Sequence, residues 1–486
     1  MASLQKQYDD VKLDGRIYTP SFIVDKMLDE IGYNDESILG KKIIDPACGD
    51  GRFLSEIVRR IVKFSDEENI VANLKCVYGN DINKASVKEC IDNLNEIIKP
   101  FDIDVNWNIK TVNSLATKYK NYFDFVIANP PYIRIQHLLE DDRTFLQSNF
   151  KYCKKGATDI YYAFFEFALK SIKNDGKCAF ITPNTFIFTE TARTMRNDFS
   201  DKGYISKLVN YGEIQVFDDA NTYSAITYFD KSKKDKFIYD KATSLTTFET
   251  IEIEYEHLID QKIWRLAEQT NIKKSDTVLK DICDIYVGVS TLCDKAYVLE
   301  FIAENQNTMT LKSKLKGVVE IEKGIVKPCI KASKYKSSQD PITEYIIYPY
   351  DRTSGKAVII DEQTMNDSYP LAYGYLKSVK DQLDKRDAGK PNPVIWYAFG
   401  RTQALDTTFG KKIIFSPMNK KPNFVYCDNE DAVFYSGYAI KYNGNYDDLL
   451  SKLNTVEMEN YISISARDYR SAWKSYNKTV LMEFPV

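Results

Sequence analysis

Residues 42–53 read KIIDPACGDGRF. Two β-branched apolar residues, Ile43 and Ile44, run into an acid, Asp45. Two glycines, Gly49 and Gly51, then precede an apolar-periodic stretch at Phe53–Phe64. A short apolar run, a turn and a helical period together make a strand–turn–helix unit. Glycines at such a turn let the chain reverse tightly and let a ligand lie against bare backbone. A G-x-G pair is common at strand-to-helix turns, so the surrounding chain must decide what this one serves.

The same rhythm continues outward. Strand-like runs occur at Lys42–Asp45, Cys76–Asp81, Val105–Val112, Phe123–Ala128, Lys177–Thr182, Ile205–Tyr211 and Tyr223–Phe229. Amphipathic stretches lie between the early ones, at Phe53–Phe64 and Ile82–Ile98. Phe164–Ile172 is a third, before the turn signal Asn174-Asp175-Gly176. Short strands alternating with helices predict an α/β, doubly wound, mainly parallel sheet of seven strands. The charged stretch Asp230–Lys241, DKSKKDKFIYDK, reads as the domain boundary. The expected domains are therefore 1–240 and 241–486, the second a mixed α/β region without the βα rhythm.

A second stretch raises a chemical question. Residues 124–133 read DFVIANPPYI. The apolar run stops at Asn129-Pro130-Pro131-Tyr132, and two prolines cannot continue a sheet ladder. They stiffen the backbone just past the strand end. The Asn129 side chain and the Pro130 carbonyl can then offer two acceptors to one spot, with the flat ring of Tyr132 beside it. Asp45 and Asp81 end the first two strands, and a carboxylate at such a position is placed for ribose hydroxyls. Asp81 lies thirty residues past Gly51, and the polar stretch Ser65–Asn73 accounts for the excess as a loop. No G-x-G-x-x-G or G-x-x-x-x-G-K-[ST] occurs, so NAD and ATP fit poorly.

Composition narrows the class. Hydrophobic residues make up 44% and charged residues 28%, as in ordinary globular proteins. No apolar run is long enough to span a membrane, and the start MASLQKQYDD is no secretory signal, so a cytoplasmic protein is expected. Nine cysteines stand singly with no C-x-x-C pair, and His137 and His257 are the only histidines. No metal site is expected from that set. The net charge of −3 neither predicts nor excludes nucleic acid, which needs a local basic face. Residues 312–336 hold eight Lys against two Glu and read either as such a face or as a solvated loop.

In this order and spacing, Thr19-Pro20 within GRIYTPSFIVDKML, DPACGDG, Asp81 and NPPY resemble the gamma-class N6-adenine DNA methyltransferases, of the TaqI and Eco57I types. The resemblance covers most of residues 15–230. It implies a Rossmann-like methyltransferase domain followed by a DNA target-recognition domain. It also implies S-adenosyl-L-methionine as cofactor, double-stranded DNA as substrate, a monomer, and a restriction-modification or solitary role, with or without a separate restriction endonuclease. Thr19 and Asp45 would hold the methionine end, Ala47, Gly49 and Gly51 the turn, and Asp81 the ribose. Ile82 and Phe164 would flank the adenine of the cofactor. Where the family often carries an acid on the adenine amino group, this chain has Asn113. Asn129 and Pro130 would be catalytic, with Tyr132 stacking on a flipped adenine. Phe217, in GEIQVFDDA, would stack from the other side, followed by a polar loop at Asp218–Thr222.

The stretches VIWYAFGRTQALD (394–406) and ISARDYRSAWKSYNK (464–478) resemble target-recognition segments. Arg401 and Gln403 are the expected base readers. The competing reading packs Trp396 and Tyr397 in a core, with Arg401 on a phosphate or a carboxylate. Three other functions compete. An RNA or protein-glutamine methyltransferase uses the same acceptor geometry but lacks so large a second half. A fused restriction enzyme needs a nuclease, and the Thr-Pro block begins too early to leave room for one. A non-catalytic DNA-binding subunit would not need an intact NPPY.

Overall fold

The computed structural model describes residues 19–217, 222–268 and 275–486. The chain forms two compact units. One comprises the described residues of Met1–Ile272 together with Arg467–Ser471, and the other those of Lys273–Ala466 with Ala472–Val486.

The first unit is built on one nine-stranded sheet. Its strands are β1 (Ile43–Asp45), β2 (Val77–Asp81), β3 (Asn108–Thr111), β4 (Phe123–Ala128), β5 (Ile172–Pro183), β6 (Ile205–Asn210), β7 (Ser224–Phe229), β8 (Lys236–Ala242) and β9 (Phe248–Glu254). They lie in the order β3-β2-β1-β4-β5-β7-β6-β8-β9. β1 to β5 pair in parallel, and β7 runs antiparallel between β5 and β6. This is a doubly wound fold, its order reversing about β1.

Both faces of the sheet are covered. α1 (Ser21–Glu30), α2 (Arg52–Phe64) and α3 (Lys84–Ile98) pack on one face. Ile23, Ile57 and Leu94 there meet Ile43, Ile127 and Ile181. α4 (Glu140–Asn149), α5 (Tyr161–Ser171) and α6 (Arg193–Lys202) pack on the other. Leu146, Phe165 and Phe199 there meet Ile44, Val126 and Phe180. Successive strand residues point to opposite faces, so strands covered on both sides read as unbroken apolar runs. That is why β4 is Phe-Asp-Phe-Val-Ile-Ala.

The seven expected strands are present, with ends shifted by a few residues. Asn174-Asp175-Gly176 lies inside β5 as a bulge, because Phe123 pairs with Ile172 and Phe125 with Lys177. Gly176 is required there, since a Cβ would stand 2.5 Å from Ile172 Cγ1 and 2.7 Å from the Asp124 carbonyl.

The expected boundary at 240/241 falls inside β8, and the first unit runs on to 272. The charged stretch misled because β8 is near the open margin of the sheet. There its lysines reach water and acids, Lys236 meeting Glu252 at 2.6 Å. Residues 467–471, expected in the second domain, also belong to this unit. The Arg470 N–H donates to the Tyr223 hydroxyl at 3.0 Å, and its guanidinium to Gln215 Oε1.

The second unit is mixed α/β, with a six-stranded and a four-stranded sheet among the described residues. The lysine-rich stretch 312–336 is not a loop. It contributes strands to the six-stranded sheet, and Lys323 and Lys334 each meet an acid at 2.9 Å, Glu304 and Glu344. No helix among the described residues is long and apolar enough to cross a membrane.

Candidate active site

The carboxyl ends of β1, β2 and β4 lie side by side, which is where an open α/β sheet that reverses its strand order presents a crevice. From β1 the chain enters the turn 45–51. Gly49 takes φ +52° and has nothing within 4 Å of where a Cβ would stand. Gly51 takes φ +87°, and a Cβ there would fall 2.6 Å from Cys90 Sγ on α3. One glycine leaves the backbone open and the other lets α2 and α3 close together. The Cys48 N–H donates to the Asn80 carbonyl at 3.0 Å, tying the turn to the end of β2.

Three carboxyl groups gather at this turn. Asp45 is only 2% exposed and accepts from the Ala47 N–H at 3.0 Å. Burial pushes its pKa up to about 8, the Ala47 N–H opposes the shift, and the charges of Asp81 and Asp50 add to it. Asp81 accepts from the Gly49 N–H at 3.0 Å and from the Asn83 N–H at 2.8 Å, one on each oxygen. Asp50 meets the Arg52 guanidinium at 3.2 Å. A buried carboxyl raised by desolvation and by like charges favours a cationic ligand. A carboxylate oxygen can accept more than one hydrogen bond, so Asp81 can take ribose hydroxyls as well. An open glycine backbone, a buried acid and a half-buried acid therefore fit the amino acid and ribose ends of S-adenosylmethionine.

The neighbouring residues complete the rim. Ser114 Oγ donates to the Pro46 carbonyl at 2.7 Å, which brings 113–114 against the turn. Asn113 caps the short helix that follows, its Oδ1 accepting from the Leu115 N–H at 3.0 Å. Ile82 is half-buried beside Asp81. Phe164 is 5% exposed on α5, whose residues pack on 114–116.

At the end of β4 the amide of Asn129 is held from two sides. Its Nδ2 donates to Thr19 Oγ1 at 3.2 Å, and its Oδ1 accepts from the Tyr132 hydroxyl. That hydroxyl also reaches the Ile181 carbonyl at 3.0 Å. The chain past Tyr132 is clamped to the segment before α5. The Ile135 N–H donates to the Thr158 carbonyl and the Ile160 N–H to the Ile133 carbonyl, both at 2.9 Å. The half-buried Tyr132 ring rests edge-on against Tyr161, centroids 6.2 Å apart. Thr19 is thus the orienting partner of the amide, a role the sequence did not reveal across 110 residues. Tyr161 was also missed, although the pair Tyr161-Tyr162 opening an aromatic helix was its signal.

Phe217 is 2% exposed and packs with Ile181 and Tyr228 in the core on the α1–α3 face. Tyr132 lies at the margin of the core on the opposite face. The ring of Phe217 offers no free surface beside Tyr132, and most of the polar loop expected after it, 218–221, lies outside the described residues. Arg401 and Gln403 are in the second unit. The Arg401 guanidinium pairs with Asp387 at 3.1 Å, and Gln403 Nε2 donates to the Gly288 carbonyl at 3.2 Å. Tyr397 is buried and Trp396 half-buried, its Nε1 on Glu362 at 2.9 Å, as the core reading of that stretch expects. A polar groove of about 620 Å³ shares Thr19 and Asp50 with this region, but none of Asp45, Asp81, Asn129 or Tyr132 lines it.

The chain is similar to known proteins in sequence and in fold. The chain is 23% identical to the type II restriction enzyme and methyltransferase RM.Eco57I of Escherichia coli, over 80% of this chain and 48% of that one. It therefore spans about half the length of that relative. It is 26% identical to the type II methyltransferase M.BanIII of Aneurinibacillus aneurinilyticus, over 93% of this chain and 86% of that one. In three dimensions it is similar to the type IIL restriction-modification enzyme MmeI in complex with DNA. The TM-score is 0.62 and the identity 13%, over 99% of this chain and 65% of that one. Residues 53–217, from the helix behind the glycine turn to Phe217, match the model of the Eco57I restriction-modification methylase family.

Proposed function

We propose that this protein is an S-adenosylmethionine-dependent DNA methyltransferase acting on the exocyclic N6 of adenine. The observation that carries the reading is Asn129-Pro130-Pro131-Tyr132 at the end of β4, beside the acid-bearing ends of β1 and β2. The amino nitrogen of adenine is a poor nucleophile because its lone pair is delocalised into the ring. Acceptors on both of its hydrogens draw the nitrogen towards tetrahedral geometry and free that pair. Asn129 Oδ1 and the Pro130 carbonyl are the two acceptors. Thr19 takes an amide N–H of Asn129, and Oδ1, which also takes the Tyr132 hydroxyl, has a second acceptor site for the substrate amine. When bound, the cofactor supplies a methyl group already activated on a sulfonium.

Asp45 neutralises the cofactor ammonium, Asp81 takes the ribose hydroxyls, and Ile82 and Phe164 border the adenine. A base inside a duplex cannot reach such a site, so the target adenine leaves the stack, and the face of Tyr132 offsets part of the lost stacking. The second unit carries sequence choice, and the protein acts in the cytoplasm on host DNA.

The test is incubation with methyl-labelled S-adenosylmethionine and host DNA, followed by digestion to nucleosides. The expected label is on N6-methyl-2′-deoxyadenosine, absent with Asn129→Ala while cofactor binding persists. Label on RNA, on protein or on cytosine would overturn the reading.

A further inference from the structure

Residues 467–471 belong to the first unit, although the rest of that unit ends at Ile272. Their place is the carboxyl edge of the sheet. Tyr223, which they contact, directly precedes β7, whose first residue Ser224 pairs with Pro183 at the end of β5. The Asn184 N–H donates to the Tyr223 carbonyl at 2.8 Å and closes that corner. Counted in strand spacings across and residues along, Tyr223 stands about 14 Å from Asn129 and about 22 Å from Asp45. The segment therefore neighbours the strand end that bears Asn129 and lies away from the glycine turn.

Two rings grip Arg467. Its guanidinium carbon lies 5.0 Å from the ring centroids of both Tyr223 and Tyr469. The two rings meet edge-on, centroids 5.8 Å apart. Arg470 steadies the corner, its N–H on the Tyr223 hydroxyl and its guanidinium on the neutral Gln215. Other well-covered cations of this unit meet acids, Lys207 reaching Glu30 at 2.8 Å and Arg60 reaching Asp29 at 2.6 Å. Arg467 does not. It is half-buried, its Nε is shut off from water without a hydrogen-bond partner, and no carboxylate among the described residues pairs with it or with Arg470. A cation drawn from water without an anion is costly, and ring faces compensate only part of that cost.

We propose that Arg467, with Arg470 beside it, binds a backbone phosphate of the target strand next to the extruded adenine. The inference rests on the DNA methyltransferase reading above. A base turned out to Asn129 leaves its own phosphates at the rim of the site, where this corner stands. A guanidinium held by its faces keeps its terminal N–H groups as a planar fork, which matches phosphate oxygens. The unpaired charge is then accounted for by the substrate. The stretch 464–478, which resembles target-recognition segments, contributes here a contact to the backbone and not to a base edge.

The experiment uses duplexes carrying the methylated site, located by modified-base sequencing of host DNA, with binding read by fluorescence anisotropy as salt is varied. Arg467→Gln lowers the slope of log affinity against log salt by about 0.9, the share of one phosphate. It weakens binding alike on cognate and scrambled duplexes. In a second series each phosphate of the target strand is replaced singly by an uncharged methylphosphonate. The wild-type protein loses affinity about ten-fold or more at one position beside the target adenine, and Arg467→Gln loses none there. Wild-type binding indifferent to every replacement near that adenine overturns the inference without recourse to a variant. So does an unchanged salt slope in Arg467→Gln, or a change in which sites that variant methylates. Failure of the wild-type protein to bind or methylate any DNA overturns the function on which the inference rests.

Discussion

Thr19→Val tests the orientation of the Asn129 amide, the proposed catalytic group. The substitution keeps size and removes the hydroxyl that accepts from Asn129 Nδ2 at 3.2 Å. Thr19 is 6% exposed, so water does not readily replace it. The amide is then held only through Oδ1 by Tyr132, and its N–H₂ end has no partner on that side. A neutral hydrogen bond of this kind contributes about 0.5–1.5 kcal/mol net. If it sets the reactive geometry, kcat falls by about 2- to 13-fold. Thr19→Ser restores the hydroxyl and the rate. The assay is steady-state methyl transfer to an oligonucleotide duplex, with the cofactor dissociation constant measured by calorimetry. The loss belongs in kcat, with cofactor affinity nearly unchanged. An unchanged kcat with weakened cofactor binding would make Thr19 a cofactor ligand and refute the orienting role.

Three further outcomes follow from the site. Asp81→Ala weakens cofactor binding by about 1.5–3 kcal/mol, through loss of charge-assisted hydrogen bonds, and an unaltered dissociation constant contradicts this. Asp45 has a raised folded-state pKa, so its contribution to stability is complete below 3.8 and is lost as pH rises through about 8. Without cofactor, Asp45→Asn therefore gains thermal stability relative to the wild-type protein as pH goes from about 5 to about 8, and a gap that does not change with pH refutes it. Phe217→Ala leaves a hole in a packed core and costs about 3–5 kcal/mol in urea unfolding. A small stability loss with a methylation defect confined to duplex substrates would instead return that ring to a stacking role.

The sequence by itself determined the doubly wound sheet, because strands covered on both faces must be apolar throughout and the helices between them amphipathic. It also determined the strand end at which we propose catalysis. Asn129-Pro130-Pro131 cannot extend a strand, and glycines at 49 and 51 are the residues that positive φ and close helix approach demand. These are local rules, read from neighbours in the chain. Where the fold brings distant residues together, the sequence was silent or misleading. Charge at 230–241 signalled a boundary, because an open-margin strand and a linker both place lysines in water. Phe217 signalled a stacking ring, because an aromatic side chain reads alike in a core and in a pocket. Thr19 reads as a contact for the methionine end of the cofactor until the fold sets it against Asn129. Tertiary structure decided these because each depends on contacts across tens to hundreds of residues, for which the spacing of residue types along the chain carries no signal.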